Sequence, residues 1–310
     1  MQTILGAGGA VGKSLATELK TYTGEIRLVN RNPKAVNTSD QLMSADLTNP
    51  EQVNRAVAGS EIVYLMVGLE YNIKVWQAQW PVIMRNVTDS CMKHNARLVF
   101  FDNVYMYDRD YLDNMTEETP IRPTSKKGEV RARIEAMLKK EMEAGRLKAL
   151  IARSADFIGP TNSVIVEVVY RNFLKGKKAN WFSRTDKIHS FTHTLDAARG
   201  TAILGNTPEA FGEVWHLPTS GEKITGKEWI GLFAKEMKVE PEFRALPDWL
   251  IGMLGLFIPV MKELREMTYQ YDRDYFFNSS KFNHRFNYKP MTPGEGVTNL
   301  VQQLKSDAGK

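Results

Sequence analysis

Cysteine is nearly absent. Cys91 stands alone in 310 residues, so neither an internal disulfide framework nor a Cys-rich metal site can form. Histidine is also sparse, five in all, and the pair His189 and His193 has an H-x-x-x-H spacing without the flanking glutamate or third ligand of a zinc helix, so no metal is expected. No hydrophobic run reaches the roughly 20 residues of a bilayer span. The longest, Trp249 to Ile258, is closed by Pro259 and predicts a buried or lid helix, with no membrane partner. A strong charge of one sign is lacking too. Forty-one Lys and Arg against 36 Asp and Glu leave +5, scattered rather than striped, which predicts no nucleic-acid partner but suits small anionic ligands. An apolar strand that starts at Gln2 is not a secretory leader, and with a lone cysteine it predicts a cytoplasmic protein. No internal repeat or low-complexity segment breaks the chain.

What is present is ordinary globular composition, 43% hydrophobic and 25% charged, at a length that suits about two domains. Short apolar runs at Gln2–Leu5, Ile26–Val29, Leu42–Ala45, Ile62–Val67, Leu98–Phe101 and Leu150–Ala152 alternate with amphipathic stretches near 11–22, 51–58, 74–95 and 127–145. That rhythm predicts right-handed crossovers and an α/β fold: a doubly wound parallel sheet covered on both faces, each strand a nearly continuous hydrophobe. The rhythm breaks after Gly159-Pro160. Glu213–Leu217 reads as one more strand, and the region from Glu222 onward is irregular and aromatic, with Tyr269, Tyr271, Tyr275, Phe276, Phe277, Phe282 and Phe286 expected to form the core of a smaller lobe.

The sharpest local signal is Gly6-Ala7-Gly8-Gly9-Ala10-Val11-Gly12, directly after the first strand and opening a helix. Glycines there permit a tight turn and let backbone amides approach a pyrophosphate, whose charge is met by the helix N-terminus. The spacing is G-x-x-G-x-x-G through Gly6, Gly9 and Gly12; the commoner G-x-G-x-x-G is not met, because Val11 stands at its last position. About 20 residues on, where a carboxylate would bind a ribose 2′-hydroxyl, the second strand ends in Asn30 and Arg31. A planar guanidinium suits a 2′-phosphate, so Arg31 favours NADP, with NAD as the alternative. Asp46, past the third strand, is placed either to meet the adenine or to cap the turn before Pro50. Val67 and Gly68, ending the fourth strand, complete the expected cofactor contacts.

Together these features resemble the short-chain dehydrogenase/reductase superfamily, in its extended NAD(P)-dependent epimerase/dehydratase branch. The resemblance spans nearly the whole chain. It is carried also by Phe101–Tyr107 after the fifth strand, by Arg153–Pro160 after the sixth, and by His193–Ala198 returning to the cofactor domain. It implies a Rossmann-type sheet of about seven strands in residues 1–160, with 191–217 returning to it, and a smaller substrate-binding lobe in 161–190 and 218–310. It also implies a homodimer packed through helices near 74–95 and 127–145. Family members carry a Ser or Thr and a Tyr-x-x-x-Lys pair. Aligning through Gly128 and Glu135 puts Lys127 in the tyrosine slot, Arg131 in the lysine slot, and Asn103 in the Ser/Thr slot. All three are substituted, as in atypical members of the superfamily.

Lys127 and Arg131, four apart on one helix, share a face. A guanidinium that keeps its proton disfavours a neighbouring ammonium, so Lys127 is a candidate general acid/base, Arg131 a clamp on ribose or phosphate, and Asn103 a donor to a developing oxyanion. Tyr105 and Tyr107 are candidates for the missing phenol. The competing expectation is a solvated basic helix face. Three functions stay open: an NAD(P)-dependent oxidoreductase or epimerase/dehydratase acting by hydride transfer on a small carbonyl, alcohol or nucleotide-linked sugar; a catalytically decayed NAD(P)-binding sensor or interaction protein; or a non-redox isomerase that uses the bound nucleotide structurally.

Overall fold

The computed structural model describes residues 1–255 and 259–308, and the chain divides into two compact units. The first comprises 1–106, 126–154 and 197–217. Its strands are β1 (Gln2–Leu5), β2 (Ile26–Asn30), β3 (Gln41–Ser44), β4 (Ile62–Leu65), β5 (Arg97–Asp102) and β6 (Ala149–Arg153), with Val214–His216 added beside β6. They form one seven-stranded parallel sheet in the order Val214–His216, β6, β5, β4, β1, β2, β3. The helices α1 (Ala10–Glu18), α2 (Pro50–Val57), α3 (Ile73–Lys93) and α4 (Lys126–Glu143) make the crossovers. This is the α/β, doubly wound parallel sheet that the alternation predicts, and the Rossmann-type sheet of about seven strands that the resemblance implies.

The core explains why these strands read as apolar runs. Leu5, Val29, Val63, Leu65, Leu98, Phe100 and Ile151 pack with Val53 and Val57 of α2, Trp80, Ile83, Met84 and Val87 of α3, and Ile134 and Leu138 of α4. One expectation needs correction. β3 is not covered on both faces: Gln41, Leu42 and Ser44 are exposed, because β3 ends the sheet. In this strand order β1 lies between β2 and β4, and the direction of winding reverses there, so the carboxyl ends of β1 and β4 open a crevice. Gly6 follows one strand and Val67 the other.

The second unit comprises 107–125, 155–196 and 218–310. It holds two small parallel pairs, Asp156–Ile158 with Phe191–His193 and Ala179–Phe182 with Phe243–Leu246. Around them lie helices including Gly226–Met237 and Pro293–Ala308. Its core contains Trp181, Phe191, Trp229, Phe233, Tyr271 and Leu300. The segment 107–125 joins this unit through Met115, whose N–H donates to the Phe276 carbonyl at 2.9 Å, while the Phe276 N–H donates to the Leu112 carbonyl at 2.8 Å. Of the aromatics expected to form a lobe core, Tyr271, Tyr275, Phe276, Phe277 and Phe282 are buried, while Tyr269 and Phe286 are only half-buried. The apolar stretch that the sequence predicts as a buried or lid helix starts as Asp248–Leu254, and only part of it is buried: Ile251 is 0% exposed, but Trp249 is 71% and Met253 47%. Leu256, Phe257 and Ile258 lie outside the described residues. Among the described residues no helix is long and apolar enough to cross a membrane, and no group of His, Cys, Asp and Glu is placed to hold a metal ion.

Candidate functional site

The turn after β1 is shaped by glycine chemistry at the sheet's reversal. Gly6 has φ +92°, and its N–H donates to the Val29 carbonyl at 2.9 Å. A Cβ there would stand 2.5 Å from Val67 Cα, so both the dihedral and the close approach of β4's end require glycine. At Gly8 a Cβ would collide with the side-chain amide of Asn30, and at Gly12 it would stand 3.1 Å from Ala7 Cα, which locks the first turn of α1 onto the loop. Val11 is buried beneath. Gly9 is the N-cap of α1, extended at φ −78° and ψ 166°; no side chain caps the helix, and no acid occupies its first turn. A helix start with no side-chain cap and no acid in its first turn leaves its amides able to receive an anion. The space above Gly9 and Gly68 is open.

Arg31 is exposed just past β2, and its carbonyl accepts from the Ser44 hydroxyl at 2.8 Å. Asp46 serves its own turn. Its Oδ1 accepts from the Thr48 N–H at 2.9 Å and the Thr48 hydroxyl at 2.8 Å. Those two hydrogen bonds hold the carboxyl below its ordinary pKa, with the nearby charge of Arg31 acting in the same direction. The capping alternative for Asp46 therefore has a direct geometric account, and Arg31 remains the cation of this rim.

Past β5 the polar residues gather around a carboxylate that sequence reasoning missed. Asp102, the last residue of β5, is 2% exposed. Its Oδ1 accepts from the Asn103 N–H at 2.8 Å and from Arg131 Nε at 2.7 Å, and Arg131 Nη2 meets the same oxygen. Arg153 Nε lies 3.6 Å from Asp102 Oδ2, and Arg153 Nη2 pairs with Glu135 Oε2, whose other oxygen is 2.8 Å from Lys139 Nζ. Two guanidinium groups and two carboxylates thus balance inside the unit. The signal was legible in principle: Asp102 and Arg153 directly follow the apolar runs Leu98–Phe101 and Ala149–Ala152, and charges there need partners.

Arg131 is fixed in orientation. Its guanidinium lies 4.4 Å from the Trp80 ring centre and 4.9 Å from that of Phe100, so two aromatic faces and one carboxylate hold it. Lys127, one turn earlier on α4, is fully buried with Nζ 4.5 Å from the Tyr71 ring centre. The expectation of a solvated basic face is overturned, since Lys127 and Arg131 are 0% and 3% exposed. The simple repulsion expected between them is also altered, because Asp102 counters the charge of Arg131. Asn103 uses its side-chain carbonyl to accept the Tyr105 N–H at 3.1 Å, so what the side chain can still offer a ligand is its NH2 donor. Tyr105 stacks on Trp76 at 6.2 Å, and Trp76 meets Tyr71 and Trp80 edge-on at 5.8 and 6.3 Å. Asn103, Tyr105, Lys127 and Arg131 are thereby drawn into one tryptophan-lined assembly. Tyr107 is not among them: it belongs to the second unit, is 1% exposed, and bridges Ile121.

Fold and glycine turn together place the chain in the Rossmann class, with a turn of the kind that cradles a dinucleotide diphosphate. A family model for the NAD dependent epimerase/dehydratase family matches residues 3–217, and the chain belongs to that family. The chain is 23% identical to 3beta-hydroxysteroid-dehydrogenase/decarboxylase isoform 2 of Arabidopsis thaliana over 300 residues, covering 85% of this chain and 52% of that one; it spans about half the length of that curated relative. Among solved structures, DesIV, a dTDP-glucose 4,6-dehydratase of Streptomyces venezuelae with NAD bound, superposes with a TM-score of 0.81 at 15% identity, covering 100% of this chain and 98% of that chain. UDP-glucose 4-epimerase of Thermus thermophilus, in complex with NAD, gives 0.78 at 16% identity over 98% and 99%. At these identities the likeness is one of fold. The cofactor that the family implies fits the residues present, because the cradle that a Cβ would fill at Gly6, Gly8 and Gly12 leads to an uncapped helix start.

Proposed function

We propose that the protein is an NAD(P)-dependent oxidoreductase or epimerase/dehydratase acting on a small carbonyl, alcohol or nucleotide-linked sugar. The observation that carries this reading is the glycine turn at the reversal of the sheet, in a chain of this family. Gly6, Gly8, Gly9, Ala10, Val11 and Gly12 would hold the pyrophosphate on backbone amides, with Val67 and Gly68 bordering the same crevice. Arg31, exposed and facing no capping duty of its own, would pair with a 2′-phosphate and make NADP the preferred cofactor. The bound nicotinamide supplies hydride acceptance or donation.

The remaining chemistry falls to the chain. Asn103 would donate its side-chain NH2 to the substrate oxygen. Lys127 would hold and release the proton on that oxygen, its Nζ kept in place by the Tyr71 ring. Arg131, with Nε and Nη2 turned to Asp102, would direct its other Nη to a ribose hydroxyl or phosphate. Tyr105 would keep the aromatic wall closed. The decayed-site alternative is not favoured, since Lys127 and Arg131 are buried in an ordered assembly rather than left on the surface. Calorimetry with NADP+ and NAD+ tests the cofactor, and nicotinamide absorbance over a panel of carbonyls, alcohols and nucleotide-linked sugars tests the reaction. NADP+ is expected to bind more tightly, and Arg31→Ala to erase the difference. A ratio left unchanged by that substitution overturns the phosphate clamp.

A further inference from the structure

The second unit presents a surface that the proposed chemistry does not use. Val166–Tyr170, wound as a π-helix, runs on into the helix Arg171–Leu174, and the inner side chains Val166, Val169, Tyr170 and Phe173 pack into the aromatic core. The outer face ends in Leu174, which is 66% exposed. The turn that follows holds it there. The N–H groups of Lys175 and Lys177 donate to the Asn172 carbonyl at 3.0 and 2.9 Å, and that of Gly176 donates to the Phe173 carbonyl at 2.9 Å. Residues 174–178 are exposed without a break, so an apolar side chain stands among Lys175, Lys177 and Lys178.

A second turn lies beside the first. Where Ala179–Phe182 pairs with Phe243–Leu246, the Ala179 N–H donates to the Glu242 carbonyl at 2.9 Å, and Lys178 Nζ lies 3.4 Å from Glu242 Oε2. Residues 238–242 are likewise all exposed. They carry Val239, 39% exposed, next to Lys238 at the end of the helix Gly226–Met237, with exposed Lys235 one turn back. Cations that read as scattered along the sequence are thus gathered by the fold. The carboxylates around them are largely engaged: Glu167 pairs with Arg171 at 3.0 Å, Glu242 with Lys178, and Glu236 accepts from the Thr298 hydroxyl at 2.8 Å, which leaves Glu240. Lys175, Lys177, Lys235 and Lys238 form no ion pair among the described residues. The patch is therefore net positive and tipped by two aliphatic side chains.

We infer that these two turns dock on the surface of an anionic lipid bilayer, Leu174 and Val239 entering the headgroup layer and the lysines meeting lipid phosphates and carboxylates. A nucleic acid would satisfy the lysines but leave both aliphatic side chains in water and set Glu240 against phosphate. A bilayer surface offers both halves of the match: apolar depth for Leu174 and Val239, and a negative potential for the ammonium groups, whose stems cover the boundary between the two. Neither signal alone gives stable attachment, and the pair together does. Among the described residues no helix crosses a membrane, so the contact is peripheral. The sequence predicts no membrane partner because no apolar run is long enough to span, but a surface contact needs no such run.

The test is co-sedimentation of the full chain with vesicles of phosphatidylcholine alone, and of phosphatidylcholine with roughly a third phosphatidylserine, at low salt and at about 0.5 M salt. Binding is expected with the anionic vesicles only, and is expected to fade at the higher salt. Lys175→Glu combined with Lys177→Glu should lower the partition coefficient by more than about tenfold, and Leu174→Ser should lower it by roughly fivefold to tenfold. All three side chains are exposed, so thermal melts of these variants should match wild type, and Val239→Ser serves if Leu174→Ser melts early. The inference is overturned if the anionic vesicles do not carry the protein down at low salt, or if phosphatidylcholine alone does so equally. It is also overturned if the serine variant binds as well as wild type, which leaves a surface for polyanions in general. Loss of binding in Trp249→Ser, on the helix Asp248–Leu254, with both turn variants unaffected would overturn it as well.

Discussion

Asp102 decides the charge balance within the first unit. Its partners Arg131 and Arg153 are buried, and Glu135 also pairs with Arg153. Replacing Asp102 by Asn keeps its shape and removes its charge, leaving an uncompensated cation in a low-dielectric interior. Breaking one partner of a buried pair costs about 3–5 kcal/mol. Urea unfolding of Asp102→Asn should show a loss of that size, and the second substitution Arg131→Met should restore much of it, since the excess cation is then gone. A loss below about 1 kcal/mol would mean that water reaches the cluster. Lys127 is the contrasting case, because its ammonium sits against an aromatic face rather than at the centre of that network. Lys127→Met keeps the length and the packing, so folding and NADP+ affinity should persist while turnover falls about 10²- to 10⁴-fold, the usual contribution of one general acid/base. Steady-state rates beside calorimetry separate these effects, and turnover within threefold of wild type would remove Lys127 from proton transfer.

Individual elements show how far the sequence speaks for itself. The β–α alternation and the glycine turn were legible because each is a local pattern with one physical solution. The turn also carries a graded prediction. Gly6→Ala meets both a positive φ and Val67, so it should destabilise by about 1–3 kcal/mol and abolish NADP+ binding, whereas Gly9→Ala meets open space and should fold normally. Thermal melts check the first claim, and equal melts for the two variants would contradict it. The helix Gly226–Met237 was not placed by the sequence pattern, yet it begins in a capping box. Thr225 Oγ1 accepts the Glu228 N–H, and the Glu228 carboxylate accepts the Thr225 N–H at 2.6 Å. The Thr225 N–H and the Thr225 hydroxyl, which donates to the same carboxylate at 2.7 Å, hold the Glu228 carboxyl below its ordinary 4.5. The contribution of the hydroxyl, which Ala lacks, is present above pH 4.5 and is lost as the pH falls below it. Thr225→Ala should therefore cost about 1 kcal/mol at pH 7 and progressively less toward pH 3. Denaturation at both pH values decides it, and a loss that grows in acid reverses the sign. What the sequence could not show was the partner of an isolated charge, as at Asp102, or of an aperiodic segment. Residues 107–125 have no repeating pattern, and their register is set by Phe276 and Phe277, distant in the chain.

The molecule as a whole comprises two units, one with a core built on a parallel sheet and one with a core of clustered aromatics. Cofactor binding should register first in the unit that carries the glycine turn. A ligand present at about 100 times its Kd stabilises the state that binds it by about 2.7 kcal/mol, provided the unfolded chain does not bind. Amide exchange measured with saturating NADP+ should therefore slow in α1 and in β1, β2 and β4 by up to roughly a hundredfold where exchange needs the first unit to unfold. Exposed β3, at the sheet edge, exchanges through local opening and should change least within that unit. In the second unit, protection should appear only to the extent that its unfolding is coupled to that of the first. NADP+ protection confined to the second unit, with α1 unchanged, would show that the helix start at Gly9 is not where the diphosphate binds.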